Sequence, residues 1–358
     1  MKMTNLKKFP TMMLMFVVGA ALVLGSCSKD DSTSVVAGDK TALTALIAQA
    51  DALVAAASPN DYPQAAIDNF TTTLQTVKTA AAATNLTQTQ INNLVTQLTE
   101  AMATFNAAAY GYVDDAMYLK AGWHFDEGTG TTATGFSTAQ HVGTFTLGDA
   151  TFFGSAAQMP SWVAGVKGGY AIHVDKGAHL EVPYTSDFLP TDLTISVWVK
   201  PDSIYENNYI ISQNYWNGYK LQTQGGGKPF FTYLTTGGAN INADNETDNS
   251  IKKDVWNHIV VTLNSTTLEM KIYVDGTLTK TWTEANKGLA PLTTTLSPSP
   301  QPFIIGCVAT DAEIAANFMD WTTVDNLGYF MGAIDELRIY SIALTDGQVS
   351  KLYNDEKP

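Results

Sequence analysis

The spacing of apolar residues divides the chain into two regimes. From Lys40 to Ala109 they recur every three or four residues, which places them on one stripe of a helix. Leu43, Leu46, Ile47, Ala50, Leu53 and Val54 form the first stripe. Ser58-Pro59-Asn60-Asp61 interrupts it, and Pro63 stands where the first turn of a second helix begins. Ile67, Phe70, Leu74, Val77 and Ala81 form the second stripe. Thr87-x-x-Gln90 has the form of a capping box for a third helix, whose inward residues are Ile91, Leu94, Leu98, Ala101 and Phe105. Three amphipathic helices with short connections predict a small antiparallel bundle over residues 40–112. No polar constellation interrupts its apolar faces, so it reads as a spacer.

After Tyr118 the period falls to two. Ile195, Val197 and Val199 alternate with Thr194, Ser196 and Trp198; Ile259, Val261 and Leu263 alternate with His258, Val260 and Thr262. Met270, Ile272 and Val274 lead into Asp275-Gly276, a hairpin turn. Further strands are expected near 170–174, 179–183, 209–213, 218–223, 230–234 and 303–307. Short strands separated by Gly and Asn turns, with no helices between them, predict a mainly β fold: an antiparallel two-sheet sandwich over residues 118–358. A short amphipathic helix, Thr345 to Tyr353, closes the chain.

The first residues read as an address. Lys2, Lys7 and Lys8 precede an apolar run from Met12 to Leu24, followed by Leu24-Gly25-Ser26-Cys27. That is the layout of a secretory signal over residues 1–26, and its core is short for a membrane span. The last four residues resemble a bacterial lipobox, which implies cleavage after Ser26 and lipidation of Cys27. Ser28-Lys29-Asp30-Asp31 is similar to the acidic export tag of Bacteroidota-type lipoproteins facing the cell exterior. Residues 27–39 then form a polar, lipidated tether to the outer membrane.

Composition narrows the function. A net charge of -14 argues against nucleic-acid binding. The single arginine, Arg338, leaves no cluster for phosphate recognition. Cys307 lies in an apolar run and reads as a small buried hydrophobe, with no disulfide framework around it.

Two acidic motifs frame the β region: Trp123-His124-Phe125-Asp126-Glu127-Gly128 and Ile334-Asp335-Glu336-Leu337-Arg338-Ile339-Tyr340. Strict strand alternation puts Glu127 on the side of Trp123 and Phe125, and Asp335 on the side of Leu337 and Ile339. Carboxylates turned toward an apolar interior need backbone N–H partners or a hard cation.

These motifs occur in order with Trp162-x-x-Gly165-x-x-Gly168-Gly169-Tyr170-Ala171, Thr194-Ile195-Ser196-Val197-Trp198-Val199-Lys200-Pro201, Trp256-Asn257-His258-Ile259-Val260-Val261-Thr262 and Ile272-Tyr273-Val274-Asp275-Gly276. The set resembles a laminin-G-like domain of the concanavalin A-like lectin/glucanase superfamily. The helical segment is similar to FIVAR-like repeats of bacterial surface proteins. The resemblance implies a jelly roll with a structural Ca²⁺ where the first strand meets the last. Glu127 and Asp335 would be its side-chain ligands, Asp126 an alternate, and a carbonyl near Gly168 or Gly169 would add to the shell. One departure is that Thr132-Ala133-Thr134-Gly135 lacks the Asp common after the first motif.

Catalysis has little footing. The Glu-x-Asp-x-x-Glu strand of related glucanases is absent, and the five histidines lack metal-ligand spacing. Asn214-Tyr215-Trp216-Asn217 combines two rings with two amides, and Asp320-Trp321-Thr322-Thr323 adds a ring in a long loop. Sugar recognition uses such rings and amides, so Tyr215, Trp216, Asn217 and Trp321 are the candidate ligand residues. Asn242 to Asn249 is acidic, lacks EF-hand spacing and reads as a solvated loop. The expectation is a non-catalytic surface lipoprotein that binds a glycan or polysaccharide beside outer-membrane uptake proteins. The alternative is an adhesion or scaffold protein that binds another protein, and a glycoside hydrolase-like enzyme is a third reading.

Overall fold

The computed structural model describes residues 37–59, 61–111, 113–314 and 328–358. The expected signal peptide, Cys27, Asp320 and Trp321 lie outside the described residues.

Three helices come first: α1 (Thr41–Ala56), α2 (Gln64–Ala81) and α3 (Gln88–Ala107). Pro63 is the N-cap of α2 rather than a residue of its first turn. At α3, Thr87 and Gln90 form the expected capping box. Leu43, Ala50, Phe70, Leu74, Val77, Ile91, Leu98 and Phe105 make the buried seam. The Tyr62 and Phe70 rings stack on opposite sides of Phe105, at 4.1 and 4.7 Å.

The sandwich is built from sixteen strands among the described residues. In chain order they begin with β1 (Leu119–Trp123), β2 (Thr132–Thr134), β3 (Val142–Thr146), β4 (Ser161–Ala164), β5 (Tyr170–Val174) and β6 (His179–Val182). Then come β7 (Leu193–Pro201), β8 (Asn208–Gln213), β9 (Tyr219–Gln224), β10 (Lys228–Leu234) and β11 (Asn240–Asp244). The last five are β12 (Asn257–Asn264), β13 (Glu269–Val274), β14 (Thr277–Thr283), β15 (Phe303–Ile305) and β16 (Gly332–Tyr340). One sheet runs β14-β13-β12-β7-β16-β5-β4, with β1 also paired to β16; the other runs β11-β10-β9-β8-β15-β6-β3-β2. All pairings between these strands are antiparallel.

The core lies between the sheets, where alternate residues of both meet: Ile195, Val197 and Val199 from β7, Ile259, Val261 and Leu263 from β12, Tyr219 and Leu221 from β9. Trp123, fully buried, stacks on Phe188 and Phe303 at its centre, and removing such a ring costs about 3–5 kcal/mol. Trp198, also buried, faces away from this core. It stacks against both His258 and Tyr353, which also stack on each other, under the C-terminal helix Asp346–Glu356. Its indole donates to Glu356 Oε2 at 2.7 Å, and Glu356 pairs with Arg338 at 2.5 Å. His258 is buried with Nε2 2.8 Å from Ser196 Oγ, a structural histidine held neutral by burial, its pKa pushed down to about 3. Cys307 is buried, and burial pushes its thiol up to about 12.

Candidate functional site

Two places gather polar groups with a geometry that could serve a ligand. The first lies where β1 and β16 meet the Gly165–Tyr170 turn. Strict alternation fails at both carboxylate motifs, for a local backbone reason in each. Phe125 has φ 55, in the left-handed region, so the chain leaves its strand there and Asp126 and Glu127 both become exposed. Glu127 turns to β2, where its Oε1 accepts from Thr134 N at 2.6 Å. In β16, Glu336 has φ 47 and the pairing to β7 shifts between Asp335 and Arg338. This bulge keeps Ile334 in the core together with Leu337 and Ile339, so Asp335 does not share their face.

Asp335 is nonetheless buried, 2% exposed. Its Oδ2 accepts from Val166 N and its Oδ1 from Glu336 N, both at 2.8 Å. Asp126 Oδ1 accepts from Tyr170 N at 2.9 Å. The same turn thus holds Asp126 and Asp335, while Glu127 is drawn elsewhere. Gly165 explains the shape of the turn: a Cβ there would lie 2.6 Å from Gly168 O, 2.7 Å from Tyr170 O and 2.9 Å from Asp335 Oδ2. At Gly169 (φ 63) a Cβ would lie 2.0 Å from Asp126 Oδ1. Three oxygens, one of them a carboxylate, face one small cradle. Burial pushes the Asp335 carboxyl up to about 8; its two backbone donors oppose this, and the charges of Glu336 and Asp126 add to it. All-oxygen donors around a desolvated carboxylate suit a hard cation such as Ca²⁺. Asp335, Asp126 and the carbonyls of Gly168 and Tyr170 are the groups that fit it. No cluster of three or more His, Cys, Asp or Glu side chains at metal-binding spacing occurs among the described residues, so the carbonyls are essential to that fit.

The second place lies on the outer face of the β8–β9–β15 region. Asn214 (φ 54) and Tyr215 (φ 49) reverse the chain into a one-turn helix, Tyr215–Asn217. The Asn214 side chain braces the turn: its Oδ1 accepts from Gln301 N at 2.8 Å and Gln213 Nε2 at 2.9 Å, and its Nδ2 donates to Ser299 O at 2.8 Å. A bowl of about 320 Å³ opens there, lined by Ser212, Tyr215, Asn217, Gln301, Thr310 and Glu313 among others. Burial raises the Glu313 carboxyl, against two hydrogen bonds from Thr310. Trp216 stands beside the bowl, 37% exposed and edge-on to Tyr215 at 5.2 Å. Beneath it lies Lys220, with Nζ 3.6 Å from the centroid of the Trp216 ring.

Tyr215 and Asn217 therefore line one bowl and Trp216 adjoins it; Gln301, Thr310, Glu313 and Lys220 were not singled out by sequence. Trp282 is buried, its indole donating to Asp244 O at 2.8 Å. The acidic 242–249 stretch is met by lysines: Lys228 lies 3.3 Å from Asp244 and 3.4 Å from Asp248, and Lys280 pairs with Glu246.

No curated protein matches the chain. Among solved structures, the binding domain of Paraclostridial Mosquitocidal Protein 1 aligns at 16% identity with a TM-score of 0.46, covering 66% of this chain and 52% of that one. Domain 4 of AbnA, a GH43 extracellular arabinanase from Geobacillus stearothermophilus solved with arabinotriose, aligns at 18% identity and TM-score 0.46, covering 65% and 97%. The ligand-binding domain of botulinum neurotoxin serotype D, solved with N-acetylneuraminic acid, aligns at 14% identity and TM-score 0.46, covering 68% and 52%. The chain thus spans about half the length of the toxin domains it matches. Residues 174–350, the greater part of the sandwich, match the laminin-G-like family model described as the concanavalin A-like lectin/glucanases superfamily.

Proposed function

We propose that this protein is a non-catalytic, cell-surface lipoprotein that binds carbohydrate through the Tyr215–Trp216–Asn217 bowl. The observation that carries this reading is a half-exposed indole beside a cavity of about 320 Å³ rimmed by amides, hydroxyls and one carboxyl. A sugar presents an apolar face for stacking and hydroxyls for hydrogen bonding, and the bowl offers partners for both. Its size lies at the small end of the range for ligand pockets and suits one or two sugar units. The superfamily of the sandwich contains lectins, which agrees with a binding role.

The lipid anchor at Cys27 and outer-membrane display belong to the same proposal and rest on the N-terminal sequence. The three-helix bundle would then carry the sandwich clear of the membrane, beside uptake proteins that receive the glycan. Ca²⁺ is proposed as a structural ion held by Asp335, Asp126 and neighbouring carbonyls. When bound, it would neutralise the buried carboxylate and tie β1, β16 and the Gly165–Tyr170 turn together.

A glycan array probed with the purified protein tests the reading, with Asn217→Ala as the control variant. Binding to a defined glycan that weakens at least tenfold in the variant is expected. Binding to no glycan, together with capture of a single outer-membrane protein, would favour the adhesion alternative.

A further inference from the structure

The least expected side chain in the sandwich is Lys220. Tyr219 and Leu221 turn into the core, so Lys220 projects from the opposite face of β9, where a surface lysine would be ordinary. Instead it is 1% exposed. The chain after β15 folds back over this face, where Cys307, Val308, Ala309 and Tyr329 pack with Tyr209. No carboxylate lies within ion-pair distance of Lys220 among the described residues. Its Nζ donates to Tyr209 Oη at 3.1 Å and sits over three rings, with centroids at 3.6 Å (Trp216), 4.6 Å (Tyr215) and 4.9 Å (Tyr209).

Burying an ammonium without a counter-ion is expensive, and an apolar residue of similar length would cost less. What a charge does here that a methionine could not is to attract the π faces of neighbouring rings. Two of those rings, Tyr215 and Trp216, belong to the proposed sugar platform. They lie in a turn entered through two non-glycine residues with positive φ, a backbone arrangement that other contacts must hold in place.

We propose that Lys220 is a positioning residue: its ammonium, held in a three-ring cage, fixes the planes of Trp216 and Tyr215 so that the outer indole face is presented to a ligand that never touches the lysine. This rests on the carbohydrate-binding reading for its purpose, but the coupling between amine and indole exists without any ligand. It also makes the platform sensitive to pH. Burial lowers the Lys220 pKa to about 7, so the cation–π hold is present below that pH and lost above it. The titratable groups facing this cage are Tyr209 on β8, Tyr215 in the turn and Cys307 behind them. Burial raises both Tyr209 and Cys307, which keeps them neutral through that range. Glu313 lines the adjoining bowl next to Tyr215.

The test uses the whole protein labelled with ¹³C-lysine and ¹⁵N-tryptophan, titrated by NMR from pH 5.5 to 10. The Lys220 ε-methylene signal should lie upfield of the other lysines, through ring currents, and titrate near neutrality. The Trp216 indole N–H should shift with the same midpoint. In Lys220→Met that indole shift should vanish, and acrylamide should quench Trp216 several-fold more readily at pH 6. If Lys220→Met does not fold, the wild-type titration decides the question by itself. A Trp216 indole that stays fixed while Lys220 titrates would overturn the proposal, as would a Lys220 signal that titrates with the surface lysines. Pull-down on insoluble cellulose, xylan, arabinan and mannan at pH 6 and 8.5 separates the two readings. A bound fraction that drops at pH 8.5 in wild type alone supports positioning. Failure to bind any of them counts against the carbohydrate reading, while the indole titration still judges the lysine.

Discussion

Substituting Gly165 with alanine probes the cation cradle with one methyl group. The added Cβ would lie 2.6 and 2.7 Å from the carbonyl oxygens of Gly168 and Tyr170 and 2.9 Å from Asp335 Oδ2. Two of these are backbone atoms that cannot swing aside as a flexible side chain would, so the turn must shift. Overpacking of this kind costs about 1–3 kcal/mol. The same shift would spoil the convergence of oxygens on which cation binding depends. An ion present at a hundred times its Kd stabilises the folded state by about 2.7 kcal/mol. For a domain of this size each kcal/mol moves Tm by roughly 2–4 °C. The expected result is therefore that EGTA lowers the wild-type Tm by about 5–10 °C, whereas Gly165→Ala melts early and shows little response to either Ca²⁺ or EGTA. Differential scanning fluorimetry at fixed ionic strength, with Mg²⁺ as a control, reads this directly. A Gly165→Ala protein with a full wild-type response to Ca²⁺ would refute the assignment of the cradle, and a wild type indifferent to EGTA would remove the ion itself.

Two other substitutions separate the neighbouring carboxylates. Asp126→Ala should weaken the Ca²⁺ response, since Asp126 shares the turn with Asp335; Glu127→Ala should cost no more than about 1 kcal/mol and leave the response intact, as melting curves with and without CaCl₂ would reveal. Lys220 should also be visible in stability against pH. Its folded pKa of about 7 lies below the unfolded 10.5, so the unfolded chain binds more protons between those values, and stability should rise with pH across that window. The difference between wild type and Lys220→Met in urea unfolding isolates this slope from other groups, and at most about 5 kcal/mol is at stake. Parallel pH profiles for the two proteins would show that Lys220 stays charged throughout.

Much of the fold was legible because its periods are long-lived. The 3.6-residue stripe on each helix, marked by Leu43, Phe70 and Leu98, and the alternation through Ile195 to Val199 each persist for several residues, and the faces they predict as inward are the buried ones. The carboxylate motifs depart from alternation where one residue breaks the period. A positive φ at Phe125 turned Glu127 outward, and a bulge at Glu336 moved Asp335 off the core face. Neither Phe nor Glu announces a left-handed conformation, so the break was invisible locally. Lys220 was missed for a different reason. Between two core residues it reads as solvent-facing, and what covers it is a cage of rings from Tyr209, Tyr215 and Trp216, backed at Tyr209 by the distant Cys307 to Ala309, which the alternation of β9 does not reveal. The Asn214-Tyr215-Trp216-Asn217 cluster could be recognised because rings and amides in a turn are unusual in themselves. What could not be read was that Asn214 braces the 299–301 segment instead of offering its amide to a ligand.

The most direct measurement is the affinity of the purified protein for its best array glycan, compared with Trp216→Ala by isothermal titration calorimetry at pH 6. With the indole 37% exposed, its removal should leave Tm within a few degrees while weakening binding tenfold or more, about 1.4 kcal/mol. Wild-type affinity in a Trp216→Ala protein that remains folded would contradict carbohydrate binding at this bowl.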